Sequence, residues 1–488
     1  MTIWYDVSGL VGWQRPHLGG IERTTAGILA GLHDLGVVVR FVHVPPGSDR
    51  FVEVVADDLP PAAGGRGPRP AESPPPAVDP VETPIATPAP PPPPRHRPLR
   101  DALYGAGPDG VAFRAAWHSF KEAGRDLLWH AGRRAGVVRV RRHAAPAIPV
   151  DVAPVHDPVV VPVPPAPMDP DVPFTPGDVL LSLGGTFAMP GHPDAVDAAC
   201  GAGAVVVRMV YDLIPQTKPQ WVATQGVYVR WLRHVVTSSD LVLAISEFTR
   251  QELMAYCRQN GLAPPRSVVV RLGDVIRTGA GSHLPPPLPR FVPRRPFFLC
   301  VSTLDARKNH RCLYEAWAVL AAERGDACPE LLCTGMHHAG VTDLVHEIRH
   351  DPVVNRHLHL LDGIPDAELD WYYHHCVATI YPSKHEGWGL PVAESLARGK
   401  PCLASSASSI PEIDPRLPEF FAPHDTARLV SFVRRAVDEP AWIADREAAI
   451  RREFRPTTWS DTATAVMAAV RGTIGGRANT DGAPGRSR

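Results

Sequence analysis

From residue 179 onward the chain alternates short apolar runs with amphipathic segments, and it does so twice. Runs at 179–183, 205–211, 241–245 and 268–272 read as strands, with helical patterns at 222–236 and 247–256 between them. Pro285, Pro286, Pro287, Pro293 and Pro296 then punctuate a hinge. A second series follows, with strands at 297–301, 331–333, 358–361 and 377–381, a helix at 310–322 and another opening at Pro391. Strands separated by helices pair in parallel, because each helix carries the chain back across the sheet. Two such series predict an α/β chain with two doubly wound domains facing a cleft, and ligands at the carboxyl ends of the strands. A strand at 3–7, a helix at 21–35 and a strand at 37–43 extend the first series. At 488 residues the chain is too long for one core.

The first series is interrupted. Sixteen prolines fall between Pro60 and Pro98, too many for a packed core, so a disordered or polyproline-II insertion is expected. A second proline-rich stretch covers about 146–176. The resulting division is a first domain over 1–280 containing a proline-rich and helical insertion at 57–176, and a second domain over 295–455. A last helix at 456–472 should pack near the hinge, with a disordered tail at 473–488. Within the insertion, 100–145 carries nine Lys/Arg against four Asp/Glu, interleaved with apolar residues such as Trp117, Phe120 and Trp129. Such a stretch suits either a peripheral contact with anionic lipid or a helical pair packed on the first domain.

A net charge of -1 argues against nucleic acid as a partner. The eight cysteines lie between Cys200 and Cys402 with no C-x-x-C pair, which reads as free thiols of a reducing compartment. The N-terminus lacks the pattern of a signal peptide, and no run approaches the roughly 18 apolar residues of a spanning helix. A cytoplasmic location is expected.

The chemistry concentrates at 383–395, Ser-Lys-His-Glu-Gly-Trp-Gly-Leu-Pro-Val-Ala-Glu-Ser. An apolar strand precedes it and a helix begins near Pro391, so free backbone N–H groups and a helix dipole aim at one point, a natural seat for a phosphate. Gly387 and Gly389 remove side chains that would keep a ligand off the backbone. Glu386 and Glu394 flank the seat, and a carboxylate there can accept two hydrogen bonds from a ribose diol. Arg307 and Lys308, between the 297–301 strand and the next helix, would neutralise a diphosphate. Gly19 and Gly20 open the first helix, where the backbone could approach a phosphate or sugar, and Asp212 ends a strand with its carboxylate facing the presumed cleft. Neighbouring histidines (His337-His338, His374-His375) point in different directions and read as structural. Asp169-Pro170-Asp171 lies in a proline-rich stretch and is set aside as a metal motif, and no metal is expected.

Together these segments resemble the retaining glycosyltransferases of family 4, which have the GT-B fold of two Rossmann-like domains. The resemblance covers about 1–45 and 177–472. Its anchor is the E-x7-E signature, here Glu386 to Glu394, with Trp388 where members often have Phe. Thr303 with Arg307-Lys308-Asn309 matches the G-T-x-x-x-R-K-N pattern, with Ser302 in place of Gly. The stretch from Asp6 to Arg23 and Tyr211-Asp212-Leu213-Ile214-Pro215 look like the bacterial mannosyltransferase branch that builds surface polysaccharides. The resemblance implies that Glu394 holds the ribose and Glu386 the transferring sugar. It places the diphosphate on Arg307 and Lys308, assisted by N–H groups of Gly389 and Leu390, and puts Asp212 near the sugar or acceptor. The implied donor is a nucleotide sugar, GDP- or UDP-hexose, and the acceptor a glycan or lipid-linked glycan. A GT-B sugar-nucleotide epimerase and a non-catalytic glycan-binding or partner subunit are the alternatives.

Overall fold

The computed structural model describes residues 1–11, 20–55, 174–222, 224–274 and 289–480. The insertion through residue 173, including 100–145 and Asp169–Asp171, lies outside them, as do Gly19 and Pro285–Pro287.

Strands β1 (Ile3–Asp6), β2 (Arg40–His43), β3 (Val52–Val54), β4 (Val179–Ser182), β5 (Val205–Val210), β6 (Leu241–Ala244) and β7 (Ser267–Val269) form one sheet in the order β3-β2-β1-β4-β5-β6-β7. Strands β8 (Phe297–Val301), β9 (Glu330–Thr334), β10 (Leu358–Leu361), β11 (Ala378–Tyr381), β12 (Cys402–Ser405) and β13 (Glu419–Phe421) form a second, ordered β10-β9-β8-β11-β12-β13. All neighbours are parallel except the β2–β3 pair. In both sheets the chain first builds outward one way and then returns to the centre and builds the other way. This is Rossmann-like winding, with a switch point between β1 and β4 and another between β8 and β11. The expected GT-B architecture of two doubly wound units is therefore present. Strands β1, β4, β5, β6, β11 and β12 are buried along their whole length, as helices on both faces require.

The helices used below are α1 (Gly20–Asp34), α2 (Glu247–Gln259), α3 (His310–Arg324), α4 (Asp366–His375), α5 (Leu390–Ala397) and α6 (Trp459–Thr480). After the second sheet, α6 returns to the first unit and lies along α1. Gly27 and Gly31, one turn apart on α1, make this approach possible: a β-carbon at Gly27 would lie 2.4 Å from the Trp459 ring, and one at Gly31 2.2 Å from the Trp459 carbonyl oxygen. One expectation is corrected here. The last helix packs along α1 and, at its start, against residues 271–274 just before the proline-rich hinge, where Thr462 donates to the Arg271 carbonyl at 2.9 Å. It continues through residues 473–480, where a disordered tail was expected. Gly472 and Gly476 look like helix breakers in sequence, but the Arg266 guanidinium packs against both.

Some strand limits also differ. The run at 268–272 pairs only through Val269, because Val270 and Leu272 are buried in a connection instead of in the sheet. Phe174, inside the expected insertion, stacks edge-on against Trp4 and Phe51 and belongs to the first unit. All eight cysteines are free thiols.

Candidate active site

The loop leaving β8 at the second switch point is built by its own side chains. Asp305 accepts hydrogen bonds from the backbone N–H groups of Arg307 (2.8 Å) and Lys308 (3.0 Å), closing a tight turn. Asn309 follows in the left-handed region, φ 62°, a conformation Asn tolerates better than most residues. Its amide donates to the carbonyls of Pro382 (3.0 Å) and Pro423 (2.7 Å). That ties the turn to the end of β11 and aims both cations at the 383–389 loop.

They meet Glu386 there. Arg307 Nη1 lies 2.8 Å from Oε2, and Lys308 Nζ 2.7 Å from Oε1. Tyr381 donates to Oε1 at 3.0 Å, and the Ser383 hydroxyl donates to the same oxygen. Burial pushes the carboxyl up, but Arg307 and Lys308 outweigh it and hold it down at about 2. For Lys308, burial and the neighbouring Arg307 lower the proton affinity while Glu386 raises it, and the net shift is downward. The 2.7 Å contact with the Glu386 carboxylate favours its charged form against those two effects. Arg307 is opposed by burial and supported by Glu386 and Asp305, with a net upward shift.

Gly389, at φ +110°, turns the loop into α5, whose first N–H groups lack intrahelical acceptors by geometry. Glu394, one turn into α5, is buried. Its Oε2 accepts from the Tyr373 hydroxyl (2.8 Å) and its Oε1 from Arg23 of α1 (3.2 Å). Arg23 also reaches Asp366 at 3.5 Å, so a cation of the first unit bridges two carboxylates of the second. Thr303 sits in the loop after β8, half-buried, where Leu304 pairs with the 336–338 segment. A β-carbon at Gly335 would collide with the Ser302 carbonyl, so that glycine is what lets the two loops touch.

The two units are in contact at the motif. A β-carbon on Gly387 would lie 1.9 Å from the Tyr211 carbonyl oxygen and 3.1 Å from the Asp212 β-carbon. Asp212 is part-buried and its Oδ1 accepts from the Ile214 N–H at 2.9 Å, so it caps the turn before Pro215 and faces the cluster at once. Burial raises its affinity for a proton, with Arg307 opposing. Glu412 completes the contact, accepting from the N–H groups of Glu247 and Phe248 (2.7 Å each) at the start of α2. Gly20 begins α1 with nothing near its missing β-carbon, so packing does not demand a glycine there. The His374 and His375 Nδ1 atoms bond to backbone carbonyls of their own helix, consistent with structural roles.

Glu386, Arg307, Lys308, Gly387 and Asp212 thus converge, and Glu394, Gly389 and Leu390 line the adjoining helix start. Sequence reasoning missed the Arg23 bridge, Tyr373, Tyr381 and the Glu412 contact. Arg23 does close the Asp6-to-Arg23 stretch that carries part of the resemblance, and that was its signal.

Residues 289–414 match the family profile of glycosyl transferases group 1, the segment that carries Thr303, Arg307, Lys308, Glu386 and Glu394. Over 285 residues the chain is 26% identical to the serotype-specific mannosyltransferase WbdA of Escherichia coli, covering 54% of this chain and 34% of that protein. Over 246 residues it is 24% identical to the O-antigen chain mannosyltransferase B of Escherichia coli, covering 49% and 62%. The chain therefore spans about a third of the first relative's length and less than two thirds of the second's. Among solved structures it is similar to α,α-trehalose 6-phosphate synthase from Burkholderia multivorans, with 12% identity and a TM-score of 0.46 over 64% of this chain and 74% of that one. Among the described residues no helix is long and apolar enough to cross a membrane.

Proposed function

We propose that the chain is a retaining, metal-independent glycosyltransferase that moves a hexose, mannose from GDP-mannose, onto a glycan or lipid-linked glycan of a surface polysaccharide. The observation that carries this reading is the Glu386 carboxylate held between Arg307 and Lys308 at a switch point, inside the segment that matches glycosyl transferases group 1. The choice of mannose rests on the two E. coli relatives, both mannosyltransferases.

The donor diphosphate would face Arg307, Lys308 and the N–H groups of Gly389 and Leu390. The guanidinium has five N–H donors and the ammonium three, so both can serve Glu386 and a phosphate together. Glu394 would take the ribose hydroxyls, and Glu386 the hydroxyls of the hexose. In front-face transfer the acceptor oxygen bonds to the anomeric carbon on the side from which the diphosphate leaves. The carbon–oxygen bond to the phosphate breaks, and the acceptor proton passes to the departing phosphate oxygen. The protein's part is positioning and stabilising the charge that grows on that oxygen, which two cations can do without a metal. Asp212 would stand on the acceptor side. A peripheral contact of 100–145 with the inner face of the membrane would bring a lipid-linked acceptor to the cleft, and deletion of 57–150 would then abolish co-sedimentation with anionic liposomes.

The test is nucleotide release from a panel of sugar nucleotides with a glycan acceptor pool, in chelator, with the product's anomeric configuration read by NMR. GDP release from GDP-mannose and a retained α-configuration are expected. Inversion, or no release from any donor, would contradict the assignment. Conversion of the donor to its epimer without transfer would point to the epimerase.

A further inference from the structure

Close behind the donor loop, three metal-ligating side chains that the transfer chemistry does not use come together. Cys300 on β8 and Cys333 on β9 are register partners in parallel strands, so their side chains leave the same face of the sheet as neighbours. His310, the first residue of α3, turns its Nε2 to 3.9 Å from Cys300 Sγ and 3.4 Å from Ser302 Oγ. The three residues are 0%, 1% and 2% exposed, and their ligand atoms all lie within 4.8 Å of one another. Ser302 Oγ, 3.9 Å from Cys300 Sγ, supplies a fourth position.

We propose that Cys300, Cys333 and His310, with Ser302 or a water as the fourth ligand, form a structural site for a thiophilic divalent cation, zinc above all. In a tetrahedral zinc site the ligand atoms stand roughly 3.5–3.8 Å apart, given bonds of about 2.3 Å to sulfur and 2.0 Å to nitrogen. The atoms here, within 4.8 Å of one another, need to close by roughly 1.3 Å at most. The imidazole itself is poorly served without a metal. Its Nδ1 has no hydrogen-bond partner, and its Nε2 has only the long contacts to a thiol and a hydroxyl. Coordination would replace those long contacts of Nε2 with a direct bond to the metal. The start of the 15-residue α3 adds a positive dipole end, which favours thiolates beside it. On binding, both thiols release their protons to solvent and the two thiolates and the neutral imidazole donate to the metal. The site would join β8, β9 and α3, the three elements between which the 302–309 loop is held. It would fix that loop in place without taking part in transfer, and it stands whether or not the transferase reading does.

The experiment titrates cobalt(II), and then zinc in competition with a chromophoric chelator, into the reduced, untagged, metal-stripped full chain. The expected result is one cobalt per chain with a thiolate-to-cobalt charge-transfer band, displaced by zinc. The band should be lost in Cys333→Ser and in His310→Gln and kept in Cys312→Ser, a buried cysteine outside the trio. No charge-transfer band in the wild-type chain at micromolar cobalt overturns the proposal, however the variants behave. So does a band that survives Cys333→Ser, which would place the metal elsewhere. Should a variant fail to fold, the wild-type chain still decides, because bound zinc must raise its melting temperature in proportion to occupancy.

Discussion

The Lys308 ammonium lies 2.7 Å from the Glu386 carboxylate, whose second oxygen is held by Arg307 at 2.8 Å. One buried anion therefore contacts both groups proposed to receive the donor diphosphate. Glu386→Gln should leave Lys308 without its carboxylate partner and Arg307 with Asp305 alone. The expected outcome is GDP binding that is unchanged or tighter, with kcat for transfer reduced about 10²-fold or more through loss of a contact to the sugar. Calorimetry and initial rates separate the two effects. Loss of GDP binding with kcat preserved would reverse the assigned roles.

Acid stability should report the same cluster. The Glu386 carboxyl, held down at about 2 against an ordinary value of 4.5, binds a proton less readily folded than unfolded. Its contribution is complete above the unfolded value and is lost as pH falls from 4.5 toward 2. The size is ~3 kcal/mol. The melting temperature should fall less steeply over this window in Glu386→Gln than in the wild type. Equal slopes would show that the carboxyl is not held by its neighbours.

Gly387 has no room for a β-carbon, because the Tyr211 carbonyl oxygen occupies that space. Gly387→Ala should force the two units apart at the point where donor and acceptor sides meet. A shift near 1 Å is enough to lower the rate about 10²-fold. Nucleotide affinity should change little, since the proposed nucleotide contacts lie within the second unit. Transfer at the wild-type rate would mean that the contact opens during turnover.

Arg23 reaches from the first unit to a Glu394 oxygen that a ribose hydroxyl would also use. Removing it with Arg23→Ala leaves Glu394 with the Tyr373 hydroxyl as its remaining side-chain donor among those described. The unliganded protein should lose about 1–3 kcal/mol. GDP should then raise the melting temperature by more than it does in the wild type, because the ribose replaces a missing partner. A smaller GDP-induced rise would make Arg23 a direct nucleotide contact.

Much of the fold was legible because parallel strands buried on both faces leave continuous apolar runs, as at β5, β6, β8 and β11. The Glu386–Glu394 loop was legible because its glycines, carboxylates and helix start are contiguous. What escaped was non-local or ambiguous. Glu412 meets α2 from 165 residues away, and Arg23 meets Glu394 from 371 away, with no pattern to announce either. In the connection at 270–272, Val270 and Leu272 are buried on either side of Arg271, an alternation that a strand would also show. The helical glycines near residue 475 are compensated by Arg266, which sequence spacing does not reveal.

The most direct single measurement is a calorimetric titration of GDP and UDP into the wild-type chain and Glu394→Ala. A carboxylate that binds the ribose should make GDP bind the wild type at least tenfold more tightly than the variant, with GDP preferred over UDP. Equal nucleotide affinity in the two proteins, with both folded, would contradict the placement of a sugar nucleotide at this site.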